Sequence, residues 1–472
     1  MIEGILIGLN TALSLKNILM VVMGCFFGTI IGMLPGLGPM TAIALMIPIT
    51  YGFDPATGLI LMAGVYYGAV FGGSTSSILI NAPGIPGTVA TSFDGYPMAQ
   101  QGKAGKALAI AAYSSFAGGT IAAIFLLFAA PSLSKISLSF RSPDYFALMI
   151  LGLTAVAAFS SKGQFLKAMM MAVLGLMLAC IGQDTLSDIP RFTFNNMNLS
   201  DGISFVLVVM ATFAMSEALM IILRGTDPSS AAKAISLKEL GSIKLDKEET
   251  KKTLKTIPRS SVIGFIVGVL PGAGSTIASF LAYGMERSFV NKEEKEKFGK
   301  GSVHGLAAPE TANNAACSGS FVPLLTLGIP GSGTTAVMLG ALLGFGIQPG
   351  PRLYMTNPEI FWSVIMSMYI GMVILLILNL PLIPYIARIL AVPRTFLIPM
   401  ILFFSVTGIY LMSFNTFDIF LMIGIAVVAT GLRLYKFPMP PLILAFVLGG
   451  LMEENLRRSL LISDGSFNFL WD

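Results

Sequence analysis

The residues able to do chemistry in this sequence are hydroxyls and amides gathered around glycine–proline breaks. Ser74, Thr75, Ser76 and Asn81 precede the string Gly84-Ile85-Pro86-Gly87, and Thr88 follows it. Asn313, Asn314, Ser318 and Ser320 precede the same string at Gly328-Ile329-Pro330-Gly331, and Ser332, Thr334 and Thr335 follow. Two further breaks, Pro35-Gly36-Leu37-Gly38 and Pro271-Gly272-Ala273-Gly274, the second followed by Ser275, complete the set. Uncharged oxygens and amides can satisfy a carboxylate or a sodium ion without carrying formal charge into an apolar interior. No Lys or Arg lies inside the broken segments, so an anion there would be held by helix ends and hydroxyls rather than by an arginine clamp. Close helix packing through small residues is the competing explanation for the same Ser, Thr and Gly.

Charged residues near these breaks are few. Glu310, in Pro309-Glu310-Thr311-Ala312-Asn313-Asn314, opens the second broken segment. It fits ion coupling, alongside Asn314 and Thr335, or substrate hydrogen bonding, and equally fits charge stabilisation of a helix N-terminus. Glu217 falls deep in a predicted helix and calls for a basic neighbour or a partner subunit. Asp94, in Phe93-Asp94-Gly95-Tyr96-Pro97, is expected to make a turn at the cytoplasmic face. His304 is the sole histidine, which argues against a His-based catalytic or metal site and makes it a polar loop residue by expectation. Cys25, Cys180 and Cys317 are scattered in apolar surroundings, as buried small side chains are. Glu453 and Glu454 stand four residues before Arg457 and Arg458, the spacing of an interfacial helix or a docking surface.

The elements that must position these groups follow from composition. Of 472 residues, 55% are hydrophobic and 11% charged, against about 25% charged in a soluble domain. Charge-free stretches cover residues 17–53, 55–93, 311–351 and 360–387, each longer than the roughly 20 apolar residues of one bilayer crossing. This excludes a soluble enzyme and identifies an all-α polytopic membrane protein. With 50 Gly and 26 Pro, its helices must break, and in a membrane irregular backbone survives only where protein buries it or it lines a cavity.

The chain repeats itself. Gly28-x3-Gly32-x-Leu34-Pro35-Gly36-x-Gly38 returns as Gly264-x3-Gly268-x-Leu270-Pro271-Gly272-x-Gly274, an offset of 236, and the Gly-Ile-Pro-Gly strings recur at an offset of 244. That second offset sets Ser74 and Ser76 on Ser318 and Ser320. Each Pro-Gly-x-Gly segment (18–52 and 258–287) reads as a re-entrant hairpin. Between the hairpins lie one broken crossing (56–92) and straight ones near 107–130, 144–160, 164–182 and 203–223. Five crossings invert the second half relative to the first. Crossings near 360–387, 395–414, 417–432 and 438–452 then complete it. The division is a first repeat at 1–223, a basic cytoplasmic linker at 224–257 and a second repeat at 258–472. Residues 224–300 hold 14 Lys/Arg against 9 Asp/Glu and supply the whole net charge of +5, which places them inside by the positive-inside rule. Lys103, Lys106, Lys162 and Lys167 also fall inside and Asp184, Asp188 and Asp201 outside, whereas Lys135 and Arg141 run against the rule. Lysines alternating with glutamates, without interleaved aromatics, do not make a nucleic-acid site. Paired discontinuous helices in inverted halves are the arrangement of a midplane site, with half-helix N-termini toward an anion and unwound carbonyls toward a cation.

The runs Gly32-Met33-Leu34-Pro35-Gly36-Leu37-Gly38-Pro39, Tyr67-Gly68-x3-Gly72-Gly73-Ser74-x2-Ser77-Ile78-Leu79-x-Asn81-x-Pro83-Gly84, Pro309-Glu310-x3-Asn313-Asn314-Ala315 and Glu453-Glu454-Asn455-Leu456-Arg457-Arg458 together resemble the large membrane subunit of bacterial tripartite tricarboxylate transporters. The resemblance covers essentially the whole chain. It implies a multi-pass subunit of the bacterial inner membrane that works with a small four-helix membrane protein and a periplasmic solute-binding protein. It further implies import of citrate or other carboxylates on a sodium or proton gradient, without a cofactor. It suggests kinship with divalent-anion/sodium symporters, whose hairpins and broken helices move as an elevator. A passive anion channel and a membrane scaffold subunit are the alternative functions. A membrane enzyme lacks the nucleophile, base or metal cluster it would need.

Overall fold

In the computed structural model, residues 2–34, 37–158, 163–184, 187–224, 241–272, 274–386 and 394–470 are described. Six helical runs among them are long and apolar enough to cross a membrane, so the chain is an all-helical polytopic membrane protein. In order, α1 (Ile2–Ala12), α2 (Leu15–Met33), α3 (Gly38–Thr50), α4 (Pro55–Ile80), α5 (Val89–Met98), α6 (Ala104–Ser137), α7 (Ser142–Ala158) and α8 (Phe165–Ala179) lead to a two-residue β ladder, Gly182–Gln183 against Pro190–Arg191. α9 (Phe205–Val209) and α10 (Ser216–Arg224) follow, joined through the π-turn Met210–Met215. Then come α11 (Lys247–Val269), α12 (Gly274–Phe289), α13 (Lys292–Lys295), α14 (Val303–Gly319), α15 (Phe321–Leu327), α16 (Gly333–Gly344), α17 (Leu353–Thr356) and α18 (Pro358–Asn379). The last are α19 (Ile383–Ile386), α20 (Arg394–Ser413), α21 (Thr416–Leu434) and α22 (Pro440–Ile462).

Local chemistry starts these helices where they start. Asp54 accepts the Thr57 N–H and Pro55 opens α4, since proline costs nothing in the first turn where its missing N–H has no partner. Asp246 and Glu249 form a reciprocal capping box on α11. That helix begins at Lys247 rather than near 258, because the polar run from the linker carries helix formers into it. The crossing read as 360–387 ends earlier, at Asn379, and the one near 107–130 extends to the 34 residues of α6.

Glycine sets the packing. α2 lies parallel to α4 so closely that a methyl on Gly24, Gly28 or Gly32 would fall 2.5, 2.3 or 2.1 Å from the carbonyl oxygens of Leu61, Val65 and Ala69. α11 lies on α14 the same way, with Gly264 and Gly268 against the carbonyls of Ala312 and Ala316 at 2.4 and 2.3 Å. Backbones this close gain dispersion contacts along their whole length, the means of helix association where no hydrophobic effect operates. The two pairs meet through α4 and α14, which run antiparallel: Tyr67 donates to Ser318 Oγ at 3.0 Å and Ser74 to Glu310 Oε2 at 2.7 Å. α4 is buried over its whole length. Exposed Phe128, Phe403 and Val427 mark outward faces of α6, α20 and α21.

Lys106 joins α6 to the start of α11 through Glu249 at 2.9 Å and the cap Asp246 at 3.4 Å, putting these ends on one side. Lys167 donates to the Tyr435 carbonyl at 2.7 Å, which puts the start of α8 beside the end of α21. Lys162 lies outside the described residues.

Candidate functional site

Both hairpin breaks are flanked alike among the described residues. Leu34 and Leu270 end α2 and α11 in extended conformation, and Gly38 and Gly274 open the return helices at φ +65° and +60°, a left-handed state glycine adopts freely. Pro35, Gly36 and Ala273 lie outside the described residues. The helix breaks also match, but not in the register of the sequence strings. Asn81 (φ 51°) and Gly328 (φ 70°) are the left-handed caps of α4 and α15, and Gly84 and Gly331 press on the carbonyls of Gly32 and Gly268. Ile85 and Ser332 are extended, and Thr88 and Thr335 each donate a side-chain hydrogen bond three residues back. The structural offset is therefore 247, not 244, and Asn81-Ala82-Pro83-Gly84 corresponds to Gly328-Ile329-Pro330-Gly331. The shared Gly-Ile-Pro-Gly string misaligns because the position that demands glycine is the one under the neighbouring carbonyl. Ser74 and Ser76 thus do not correspond to Ser318 and Ser320.

The four breaks converge on one cavity of about 400 Å³. The first hairpin contributes Pro39 and Met40, the first broken helix Ile85 to Gly87, the second hairpin Gly272 and Gly274 to Ile277, and the second broken helix Ser332 to Thr334. Tyr66 of α4 closes one wall, and Gln164, Pro438, Pro440 and Pro441 close another. Five helices begin at this cavity: α3, the turn Pro86–Thr88 into α5, α12, α16 and α22. The first-turn N–H groups of α3, α12 and α16 lack intrahelical acceptors and carry partial positive charge, whereas Pro86 and the pair Pro440-Pro441 have no N–H to offer. No lining residue is charged. Converging helix N-termini without side-chain charge make a site for an anion.

Of the sequence candidates, Pro86, Gly87, Gly272, Gly274, Ser275, Ser332 and Thr334 line the cavity. Asn313 stands directly behind it: a methyl on Gly87 would meet Asn313 Oδ1 at 2.7 Å and Ser275 Oγ at 3.0 Å. Asn313 is fully buried, and among the described residues neither of its amide atoms has a hydrogen-bond partner. Asn314 donates to the Glu310 carbonyl at 3.1 Å and its Oδ1 is likewise without a partner. Most of the remaining candidates serve the backbone. Asn81 and Gly328 cap helices, Gly331 accepts the Gly272 N–H at 3.1 Å, and Ser76 and Ser320 bond back to Gly73 and Cys317. Thr88 bonds Gly73 O, Thr335 caps α16 with Ser332, and Ser318 takes the Tyr67 proton. Pro271 and Pro330 flank the lining residues in sequence.

A second centre lies apart from the cavity lining. Glu310 is fully buried within α14 rather than at its start. Its Oε2 accepts from Ser74 at 2.7 Å and Ser115 at 2.8 Å, and its Oε1 accepts from Thr91. Ser74 and Thr75 also line a pocket of about 10 Å³ shared with Ser115 and Asn379.

Two expectations change. Asp94 makes no turn; it sits inside α5, fully buried, and its Oδ1 accepts the N–H groups of Gly299, Gly301 and Ser302 at 2.9, 2.9 and 2.7 Å while Tyr283 donates to Oδ2 at 3.0 Å. It pins the loop that starts α14. His304 is a buried helical residue, its Nδ1 2.7 Å from Thr256 Oγ1 and 3.1 Å from Glu286, which also binds Arg259 at 2.7 Å. Neither position looks helical locally, because Gly and Pro follow Asp94 and a charged loop precedes His304; tertiary burial decides both. Glu217 pairs with Arg433 of α21 within the chain. Glu453 bonds Arg191 at 2.7 Å, and Arg457 reaches Asp184. Tyr66 and Gln164 escaped the sequence reading; the Tyr66-Tyr67 pair inside a charge-free stretch was the available signal for the first.

The model of the Tripartite tricarboxylate transporter TctA family matches residues 18–444. An uncharacterized 52.8 kDa protein in the TAR-I ttuC' 3' region of Agrobacterium vitis is 42% identical over 465 residues, covering 98% of this chain and 91% of the relative. A second uncharacterized protein, in the TAR-II ttuC' 3' region of the same organism, is 43% identical over 202 residues, 43% of this chain and 83% of its own. No solved structure matches the chain.

Proposed function

The chain belongs to the tripartite tricarboxylate transporter TctA family, whose members are membrane subunits of a transporter and not enzymes, and from that premise we propose that it is the translocating subunit of a secondary active carboxylate importer. The observation that carries the reading is the convergence of the N-termini of α3, α12 and α16 on one uncharged cavity of about 400 Å³. Oriented N–H groups stabilise carboxylates, and leaving formal charge out of the wall lets the substrate depart again. Citrate and related di- and tricarboxylates are the substrate class, and a sodium or proton gradient supplies the work. The partners are a small four-helix membrane subunit and a periplasmic solute-binding protein, and the site of action is the bacterial inner membrane.

The matched breaks and the antiparallel crossing of α4 and α14 support two inverted halves. The hairpins and broken helices form a core whose cavity is walled on one side by Gln164 and the start of α22. Substrate would cross as that core slides against those outer helices. Uptake of labelled citrate and succinate into proteoliposomes holding the chain with both partners tests this, with sodium and pH gradients imposed separately. Accumulation above the outside concentration under one gradient is the expected result. Equilibration that ignores both gradients would replace the transporter with a channel.

A further inference from the structure

We propose that Glu310 is an exchangeable-proton site and carries the coupling proton of transport, its carboxylate binding one proton from the aqueous phase on one side and releasing it to the other. The proposal deepens the transporter reading and rests on it for the word coupling; the proton site itself rests on geometry. An O–H bond forms at a carboxylate oxygen and later breaks, and no other bond changes.

The geometry has three parts. Glu310 is fully buried and touches three hydroxyls from three different helices, Ser74 of α4, Thr91 of α5 and Ser115 of α6. Among the described residues no basic group pairs with it. On the elements packed around α14, Tyr96, Tyr113, Lys135 and Arg287 form no hydrogen bond or ion pair with Glu310, and other titratable groups there are engaged elsewhere. Asp94 of α5 holds residues 299–302 and Tyr283 of α12. Glu286 of α12, Arg259 of α11 and His304 of α14 bind one another. Lys106 of α6 binds Glu249, and on α4 Tyr66 and Tyr67 face Ser332 and Ser318. An isolated carboxylate in such a place is costly, and taking a proton is its usual relief.

The second part is an unpaired acceptor. Asn379, 4% exposed, has no partner for Oδ1 among the described residues, and it lines the pocket of about 10 Å³ beside Ser74 and Ser115. That volume suits about one water between several polar groups, a relay element rather than a binding chamber. The third part argues against sodium at this centre. A sodium ion in a discontinuous-helix transporter draws on unwound carbonyls, and α4, α5, α6 and α14 are all unbroken at Ser74, Thr91, Ser115 and Glu310. Asn313 lies one turn further along α14, directly behind the substrate cavity, so one helix carries both the acid and a group at the substrate site.

Infrared difference spectra of the full chain in lipid, between acidic and alkaline buffers, test the site without any substrate. The wild type should show a carboxylic-acid carbonyl band that titrates, absent in Glu310→Gln and shifted in Glu310→Asp. Where Glu310→Gln fails to insert, Ser115→Ala keeps the acid and removes one donor to the carboxylate, so its band should titrate at higher pH; an unmoved band overturns the proposal. In proteoliposomes with both partners, each unit of pH gradient drives about tenfold citrate accumulation per proton. Glu310→Gln should keep citrate–citrate exchange while net accumulation falls to the equilibrium ratio. Wild-type accumulation by Glu310→Gln under a pH gradient, or accumulation that follows sodium and ignores pH, overturns the proposal. A titrating Glu310 band in a chain that moves no citrate would support the proton site and refute the carboxylate reading alone.

Discussion

Replacing Asn313 with leucine should stabilise the protein while weakening its hold on substrate. The side chain is fully buried and both amide atoms lack partners among the described residues. An unsatisfied buried polar group costs about 1–3 kcal/mol, and leucine, of similar size, removes that cost without opening a cavity. Unfolding free energy should therefore rise by about 1–3 kcal/mol. The opposite holds for substrate. The amide stands behind Gly87 and Ser275 at the cavity wall, where a hydrogen bond to a carboxylate is worth about 1.5–3 kcal/mol. Its loss should raise the concentration for half-maximal uptake roughly ten- to a hundredfold, at about 1.4 kcal/mol per decade. Thermal unfolding of the purified chain across a citrate series reads both quantities, because saturation at a hundred times Kd adds about 2.7 kcal/mol to the bound form. The variant should unfold later than wild type without citrate and need a ten- to hundredfold higher concentration for the same gain. A variant less stable than wild type, or one stabilised at the same citrate concentration, would refute the reasoning.

Three further outcomes follow from the packing and the loops. Gly32→Ala puts a methyl 2.1 Å from the Ala69 carbonyl; α2 and α4 must separate, and folded yield should collapse, whereas Gly424→Ala, with open space around it, should leave yield unchanged. Asp94→Ala leaves the N–H groups of Gly299, Gly301 and the buried Ser302 without their acceptor, at about 1–3 kcal/mol for the buried one, and should expose residues 292–302 to proteolysis; equal cleavage rates would contradict the anchoring role. Burial raises the Asp54 carboxyl, but the Lys16 ammonium with the Thr57 N–H and hydroxyl outweigh it and bring it down to about 2. Its folded value is depressed, so its contribution is present above the unfolded value of about 3.9 and disappears as pH falls through about 2. The pair is half-exposed and screened, worth about 0–1 kcal/mol; acid unfolding curves of Asp54→Asn should be flatter in that window, and identical curves would remove the effect.

Reading the sequence alone determines that this is a helical membrane protein whose helices break at four places, because charge-free runs and Gly/Pro breakers act locally and their consequences need no neighbour. Leu34 and Leu270 end their helices, and Gly38 and Gly274 restart them, as the strings require. Tertiary structure alone decides the rest. The register of the broken helices depends on which glycine lies beneath the carbonyls of Gly32 and Gly268, a contact between segments that no string records. Likewise, the three hydroxyls around Glu310 come from positions 74, 91 and 115, which share no motif, and Asp94 is stabilised by N–H groups some two hundred residues away. Gln164 and the start of α22 complete the cavity although neither carries a motif. Hydrogen bonds and close approach are made in space, by helices whose order along the chain says little about which faces meet.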